Sequence, residues 1–306
     1  MSKKSSQPIV FFGTGQTSLD ALQVLSETFE IEAVITKPDT LRRNGKPQPT
    51  LVAAWARKHA ISVYKPKSKV ELSRLIADKH FRSSVGVVLD YGVIIPQDVI
   101  NSFENGIINS HFSLLPNYRG ANPIRTAILN GEKVTGVTII KIVAELDAGP
   151  ILTWAETALD EATNAIDLRD QLSLINCGLL PETLKLYIAG NIAEIDQDPE
   201  NASFTTKTQK EDGLLDPSKL PSQLSRRVHA YVGWPKSYFE LNNQTIVIID
   251  AQPSDQVAEL GKLSVQNNKL YYGCTGGSLE IIQIQPAGKG TMDAQSFING
   301  YKNLLV

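Results

Sequence analysis

Cysteine is nearly absent: Cys177 and Cys274 are the only two in 306 residues, and they fall in segments read below as different domains, so no disulfide scaffold is expected. Histidine is sparse too, with four. His59, His80, His111 and His229 are scattered, with no paired cysteines and no His-Glu-x-x-His helix, so the spacing that marks a metal centre is missing. No apolar run approaches the ~18 residues that span a membrane. The leader from Met1 to Gln7 is polar and lacks the apolar stretch of a secretory signal, which makes a cytoplasmic protein the expectation. Charge of one sign is lacking too, since 30 Lys and Arg against 32 Asp and Glu leave a formal charge of −2. Any contact with nucleic acid then has to come from local basic patches, not from overall charge.

One further absence concerns a glycine. Pro8 to Phe12 is a short apolar strand, and Gly13-Thr14-Gly15 opens a turn into the amphipathic stretch Leu19 to Leu25, but Ser18 stands where a dinucleotide fingerprint has its third glycine. The nicotinamide signal is therefore weak. The two glycines instead permit a tight strand-to-helix turn near a ligand.

What is present is length and alternation. The chain exceeds one ordinary domain, and 42% hydrophobic residues are enough to bury two cores. Strands are expected at Ile31 to Ile35, Ile61 to Tyr64, Val85 to Leu89, Ile107 to Ser110 and Val137 to Ile142, with helices at Leu51 to His59 and Val70 to Lys79. Such alternation implies a Rossmann-like, doubly wound, mostly parallel α/β sheet. Ala162 to Ala189 reads as one long helix or one broken at Gly178 and Pro181. A polar stretch containing Asp198-Pro199 divides the chain into a first domain at 1–190, a linker at 191–209 and a second domain at 210–306. In the last of these, a helix at Leu220 to Tyr231 precedes short strands separated by Asn-Asn or Gly-Gly turns, the pattern of a small antiparallel β-barrel.

Chemistry concentrates between Gly106 and Gly120. Asn109 and His111 are two residues apart where an apolar run ends, and side chains at that spacing in a strand share one side. An amide that holds a developing oxyanion and an imidazole that moves a proton suit acyl transfer. An Asn-x-His at a strand end is also compatible with a plain turn carrying a satisfied histidine. The following Ser-Leu-Leu-Pro-Asn-Tyr-Arg-Gly, however, reads as a shaped loop beyond the strand's carboxyl end, where α/β sheets bind ligands. Asp147, in the turn Leu146-Asp147-Ala148-Gly149-Pro150, either caps that turn or orients and charge-stabilises His111. The long loop Thr36 to Pro49 carries four basic residues against one acidic, three prolines and a glycine. It reads either as a solvated loop or as a contact for phosphates and bases.

Asn109, His111, the Ser113 to Gly120 loop, Ala121-Asn122-Pro123-Ile124, Thr135-Gly136-Val137-Thr138 and Leu146 to Gly149 together resemble the folate-dependent formyltransferases. The resemblance runs from about Pro8 to about Asn303. It implies an enzyme that takes 10-formyltetrahydrofolate as co-substrate, uses no metal, and has Asn109, His111 and Asp147 as catalytic residues. It further implies folate contacts from Leu89, Tyr91, Gly92, Ile94, Ser113, Leu114, Leu115, Pro116 and Val143. Asp90 stands where the family has a small residue. The tRNA branch resembles the chain most, which implies initiator methionyl-tRNA as partner, an OB-like second domain, a monomer, and tRNA contacts from Arg42, Arg43, Lys46, Arg226, Arg227 and Lys289. A sugar-nucleotide N-formyltransferase shares the catalytic residues and stays open as an alternative. A glycinamide ribonucleotide formyltransferase also stays open, disfavoured because that branch normally lacks so long an extension, as does a non-catalytic folate- or RNA-binding protein, against which the intact Asn109, His111 and Asp147 set weighs.

Overall fold

The computed structural model describes residues 5–43, 45–242 and 244–305. Met1 to Lys4 of the polar leader, Asn44 of the basic loop and Asn243 of an expected turn lie outside the described residues. In chain order the elements are β1 (Ser5–Gly13), α1 (Gln16–Thr28), β2 (Phe29–Ile35), the two-residue β3 (Thr40–Leu41) and β4 (Pro47–Gln48), α2 (Leu51–Lys58), β5 (Ser62–Tyr64), α3 (Lys69–Lys79), β6 (Val85–Leu89), α4 (Gln97–Asn101) and β7 (Ile107–His111). After these come α5 (Pro123–Asn130), β8 (Val134–Lys141), β9 (Ile151–Ala158), α6 (Ala165–Ile188) and α7 (Pro221–Ala230). The chain ends with β10 (Ser237–Leu241), β11 (Gln244–Ser254), β12 (Leu263–Gln266), β13 (Lys269–Cys274), β14 (Gly277–Pro286), β15 (Met292–Asp293) and α8 (Ala294–Gly300).

Packing divides the chain into two units, and not at a single linker. The first holds residues up to Gly120, Gly136–Thr157 and Arg169–Phe204; the second holds Ala121–Thr135, Ala158–Leu168 and the chain from Thr205 onward. The segment expected as a linker therefore belongs, up to Phe204, to the first unit. Its polar composition hid two backbone bonds exchanged between Ile151 and Ile195 and one from the Arg119 amide to the Ser203 carbonyl.

In the first unit seven strands lie in the order β5-β2-β1-β6-β7-β8-β9. Pairs from β5 through β7 are parallel, and β7 with β8 is antiparallel. Both faces are covered, as a parallel sheet requires. Val10, Phe12, Ala33, Ile35 and Ile107 pack with Leu72 of α3 and Val99 of α4, while Ile9, Phe11, Val34 and Val87, alternating with them, are fully buried on the other face. Strand order reverses between β1 and β6, which makes the crevice beyond their carboxyl ends the place where such sheets bind ligands. The helix break foreseen at Gly178 and Pro181 does not occur, because α6 runs unbroken through both. An interior proline costs about 3 kcal/mol. Burial of Leu172, Leu180 and Leu184 along the same helix outweighs that cost.

The second unit is an antiparallel sheet in the order β10-β11-β14-β13-β12, with β15 on β14. The Asn267-Asn268 turn between β12 and β13 has both residues at positive φ, 50° and 63°, as a two-residue hairpin demands. The antiparallel strands expected from the sequence are present, and among the described residues no pair joins β10 to β12 to close them into a barrel. The edge strands are short, five and four residues. Leu224 and Val228 of α7 and Phe297 of α8 complete the core with Phe239, Ile246, Leu279 and Ile284.

Candidate active site

Asn109 and His111 lie on β7, where Asn109 is beside Val88 of β6 and His111 opposite Thr138 of β8. The His111 ring is 6% exposed. Its Nε2 is 2.8 Å from the Tyr118 carbonyl oxygen. A carbonyl only accepts, so Nε2 donates and Nδ1 is left facing Asp147 Oδ2 at 3.5 Å. The Asn109 amide Nδ2 donates to Asp147 Oδ1 at 3.4 Å, a long contact, and the Gly120 amide donates to Asp147 Oδ2 at 2.9 Å. Two of the expected residues, Asn109 and His111, thus converge on the carboxylate of the third, Asp147, together with the Gly120 amide. One Asn109 amide hydrogen has no partner among the described residues.

Two loops bring this about, and the quoted motifs explain how they keep their shape. The buried Thr138 hydroxyl donates to the Ser113 carbonyl at 2.7 Å and accepts from the Leu115 amide at 3.1 Å. Ser113 is itself buried, its hydroxyl donating to the Asn117 carbonyl at 2.6 Å. A Cβ at Gly136 would collide with the Ala155 carbonyl, and one at Gly149 with the Lys141 carbonyl, so both motif glycines are required by close backbone approach. Tyr118, Asp147 and Asp90 are all left-handed, with φ of 63°, 52° and 46°. Such a conformation costs a non-glycine residue roughly 1–2 kcal/mol and is retained where the surroundings enforce it.

At the crevice between β1 and β6, the Thr14 hydroxyl donates to the Tyr91 carbonyl at 3.2 Å. Asp90 lies directly over Gly15, where any side chain would meet its carboxylate. Crowding of that carboxyl against protein raises its pKa, which nearby Lys37 partly offsets. Leu89 and Tyr91 are buried at 4% and 2%, so at most their backbone faces a ligand. The Tyr91 ring meets Phe12 edge-on at 5.8 Å, and burial pushes its phenol up to about 12. Gly92, Ile94 and Val143 are exposed, Leu115 is buried, and Leu114 and Pro116 are half-buried. Among the described residues no group of three or more His, Cys, Asp or Glu is placed to hold a metal.

Sequence reasoning missed four residues here. Leu146 adds an exposed apolar side chain next to Asp147. Thr138, within the Thr135–Thr138 motif, braces the first loop through its hydroxyl. Arg119, 2% exposed, directs its guanidinium to Gln197 and Glu145 and lies over the Phe204 ring. Gln197 comes from the presumed linker, and nothing in the local sequence marks it.

Residues 8–184 match the profile of a formyl transferase domain, and residues 207–302 that of a formyl transferase C-terminal domain. The chain belongs to the formyl transferase family. This formyl transferase is 33% identical over 299 residues to the methionyl-tRNA formyltransferase of Listeria monocytogenes, with 95% of each chain covered. It is 32% identical over 296 residues to that of Geobacter metallireducens, again with 95% of each covered. Among solved structures, its fold is similar to HypX from Aquifex aeolicus in complex with tetrahydrofolic acid (TM-score 0.66, 16% identity, 98% of this chain and 48% of that one). It is also similar to WlaRD, a sugar 3N-formyl transferase, at TM-score 0.69 and 19% identity, covering 94% of this chain and all of the other.

The basic residues of this formyl transferase differ among themselves. Arg42, Arg43 and Lys46 are exposed at the tip of the β3–β4 hairpin, where the Arg42 amide donates to the Lys46 carbonyl at 2.9 Å. The hairpin is closed at its base by the Thr36 and Thr50 hydroxyls, 2.9 Å apart, and by the Lys65–Asp39 ion pair. Lys289 is exposed as well. Arg226 and Arg227 are instead turned into the second unit. Arg226 has a buried Nε and lies against Gly131, while Arg227 donates from Nε to the Asp212 carbonyl at 2.7 Å and covers the Tyr231 ring. Charge is legible in a sequence; the direction of a side chain is not.

Proposed function

We propose that the chain transfers the formyl group of 10-formyltetrahydrofolate to the α-amine of initiator methionyl-tRNA. The convergence of Asn109 and His111 on Asp147 carries the chemistry. The acceptor is supported by end-to-end similarity, through both family segments, to relatives named for it. Exposed Ile94, Val143 and Leu146, with the bare backbone of Gly92, fit a flat heterocycle that needs apolar cover and peptide edges. Bound there, the co-substrate supplies an activated formyl carbon and an amine leaving group.

The remaining chemistry belongs to the side chains. The free amide hydrogen of Asn109 stabilises the negative charge that develops on the formyl oxygen as the acceptor amine attacks, a contribution of roughly 3 kcal/mol for a donor so placed. His111, anchored through Nε2, takes the proton from the amine at Nδ1 and returns it to the leaving nitrogen. Asp147 holds the imidazole and offsets its charge while the proton is on it. Arg42, Arg43, Lys46 and Lys289 contact the RNA backbone. Arg226 and Arg227 act from their anchored positions by shaping the second unit's surface.

The test is formyl transfer from 10-formyltetrahydrofolate to charged initiator methionyl-tRNA, with elongator methionyl-tRNA and an amino-sugar nucleotide run in parallel. Transfer confined to the initiator is expected. Transfer to the sugar alone would keep the chemistry and overturn the acceptor.

A further inference from the structure

The chain between Ile195 and Phe204 is fastened across both loops of the site. At one end Ile195 exchanges backbone bonds with Ile151 at 2.8 and 2.9 Å. At the other, Ser203 accepts from the Arg119 amide at 2.8 Å, donates to the Pro116 carbonyl at 3.3 Å, and takes the Tyr118 amide on its hydroxyl at 2.9 Å. Between these fastenings stands Gln197. Its Oε1 accepts from Arg119 Nε at 3.1 Å and Nη2 at 2.9 Å, and its Nε2 donates to the carbonyls of Asp147 at 2.8 Å and Gly149 at 2.7 Å.

All four hydrogen-bonding positions of the carboxamide are used, two on each loop. The orientation is dictated by chemistry, since a guanidinium only donates and a carbonyl only accepts. Arg119 lies between Tyr118, whose carbonyl anchors His111, and Gly120, whose amide holds the Asp147 carboxylate. Asp147, at φ 52°, needs its surroundings to enforce its conformation. Thr138 and the Ser113 hydroxyl shape the first loop internally. Gln197 ties it to the second with four bonds, beside the direct bond from the Gly120 amide to Asp147 and the Arg119–Glu145 pair.

We infer that Gln197 is a positioning residue: it sets the distance between the His111 anchor and Asp147, and so the alignment of the reacting groups. This rests on the reading of Asn109, His111 and Asp147 as the reaction centre. Displacement of a catalytic group by about 1 Å can cost on the order of a hundredfold in rate, so the effect falls on kcat and not on co-substrate affinity. Because the strap keeps both end fastenings, loss of the side chain leaves the fold in place.

The experiment compares steady-state kinetics and melting temperature of the full chain as wild type, Gln197→Glu, Gln197→Leu, His111→Ala and His111→Ala with Gln197→Glu, using 10-formyltetrahydrofolate and the acceptor that the wild type formylates. Gln197→Glu keeps the acceptor for Arg119 but turns a carboxylate on two carbonyls; Gln197→Leu removes both sets of bonds. Each is expected to lower kcat about tenfold to a hundredfold with KM for the folate within about twofold. On the His111→Ala background the Glu change is expected to cost less than about twofold, since groups that act as a unit are not additive. A purely structural residue would give the same loss on both backgrounds, and that result overturns the inference, as does an unchanged kcat in the two single variants. Should Gln197→Glu unfold, Gln197→Leu alone and combined with His111→Ala decides by the same criteria. Full activity in His111→Ala alone would instead overturn the reaction centre itself.

Discussion

Asp147 accepts from Asn109 and from the Gly120 amide while facing the His111 ring, so a single carboxylate positions both groups to which the proposed transfer assigns the oxyanion and the proton. Removing either group should spare binding. Asn109→Ala and His111→Ala are each expected to lower kcat by about a hundredfold to a thousandfold, the range for loss of one oxyanion donor, with KM for the folate little changed. Equal damage to both parameters would contradict the assigned roles. Asp90 gives a second expectation. Its pKa is raised in the folded chain, so the fold binds this proton more readily than the unfolded chain, and the ionised form lowers stability once pH exceeds the raised value. Below the ordinary value of about 3.9 both states are protonated and the effect disappears. Asp90→Asn is therefore expected to raise the melting temperature at pH 7, with the gain shrinking as pH falls toward about 4. A gain of equal size at both pH values would assign it to backbone preference at φ 46° instead.

At the scale of elements, β7 ends in Asn109-Ser110-His111 and the loop beyond it is held to β8 by Thr138. Thr138→Val keeps the shape but leaves the Ser113 carbonyl and the Leu115 amide without that partner, in a buried place. A cost of about 2 kcal/mol is expected by denaturant unfolding, together with a fall in activity. An unchanged midpoint would mean that water replaces the hydroxyl. Most elements are legible in the sequence, because their cause is local: β6 is a fully apolar run with the expected limits, and α2 and α3 have Thr50 and Ser68 as N-caps. The unbroken α6 is not, since Pro181 is tolerated through packing by residues distant in sequence. The basic loop is legible as basic and long, whereas its folding into the β3–β4 hairpin depends on Thr50 and Lys65 outside it.

Taken whole, the chain enters and leaves its second unit more than once. Ala121–Thr135 and Ala158–Leu168 belong with the residues after Thr205, and α5 packs on α7 within that unit. A chain ending at Gln209 would keep the matched catalytic segment yet strand α5 without α7. It is expected to bind a hydrophobic dye and to melt in a broad transition at lower temperature than the full chain; a sharp transition at the original temperature would show that α5 needs no such partner. Sequence alone determined the alternation that gives the parallel sheet, the Asn109 and His111 pair on one strand face, and the family, because these depend on neighbours one to four residues apart or on motifs with fixed spacing. Tertiary structure decided that the second sheet stays open, that Arg226 and Arg227 turn inward, and that Arg119 and Gln197 hold the site loops together. Those outcomes depend on which distant groups meet, and a pairing such as Gln197 with Asp147 and Arg119, 50 and 78 residues away, leaves no period or spacing to read.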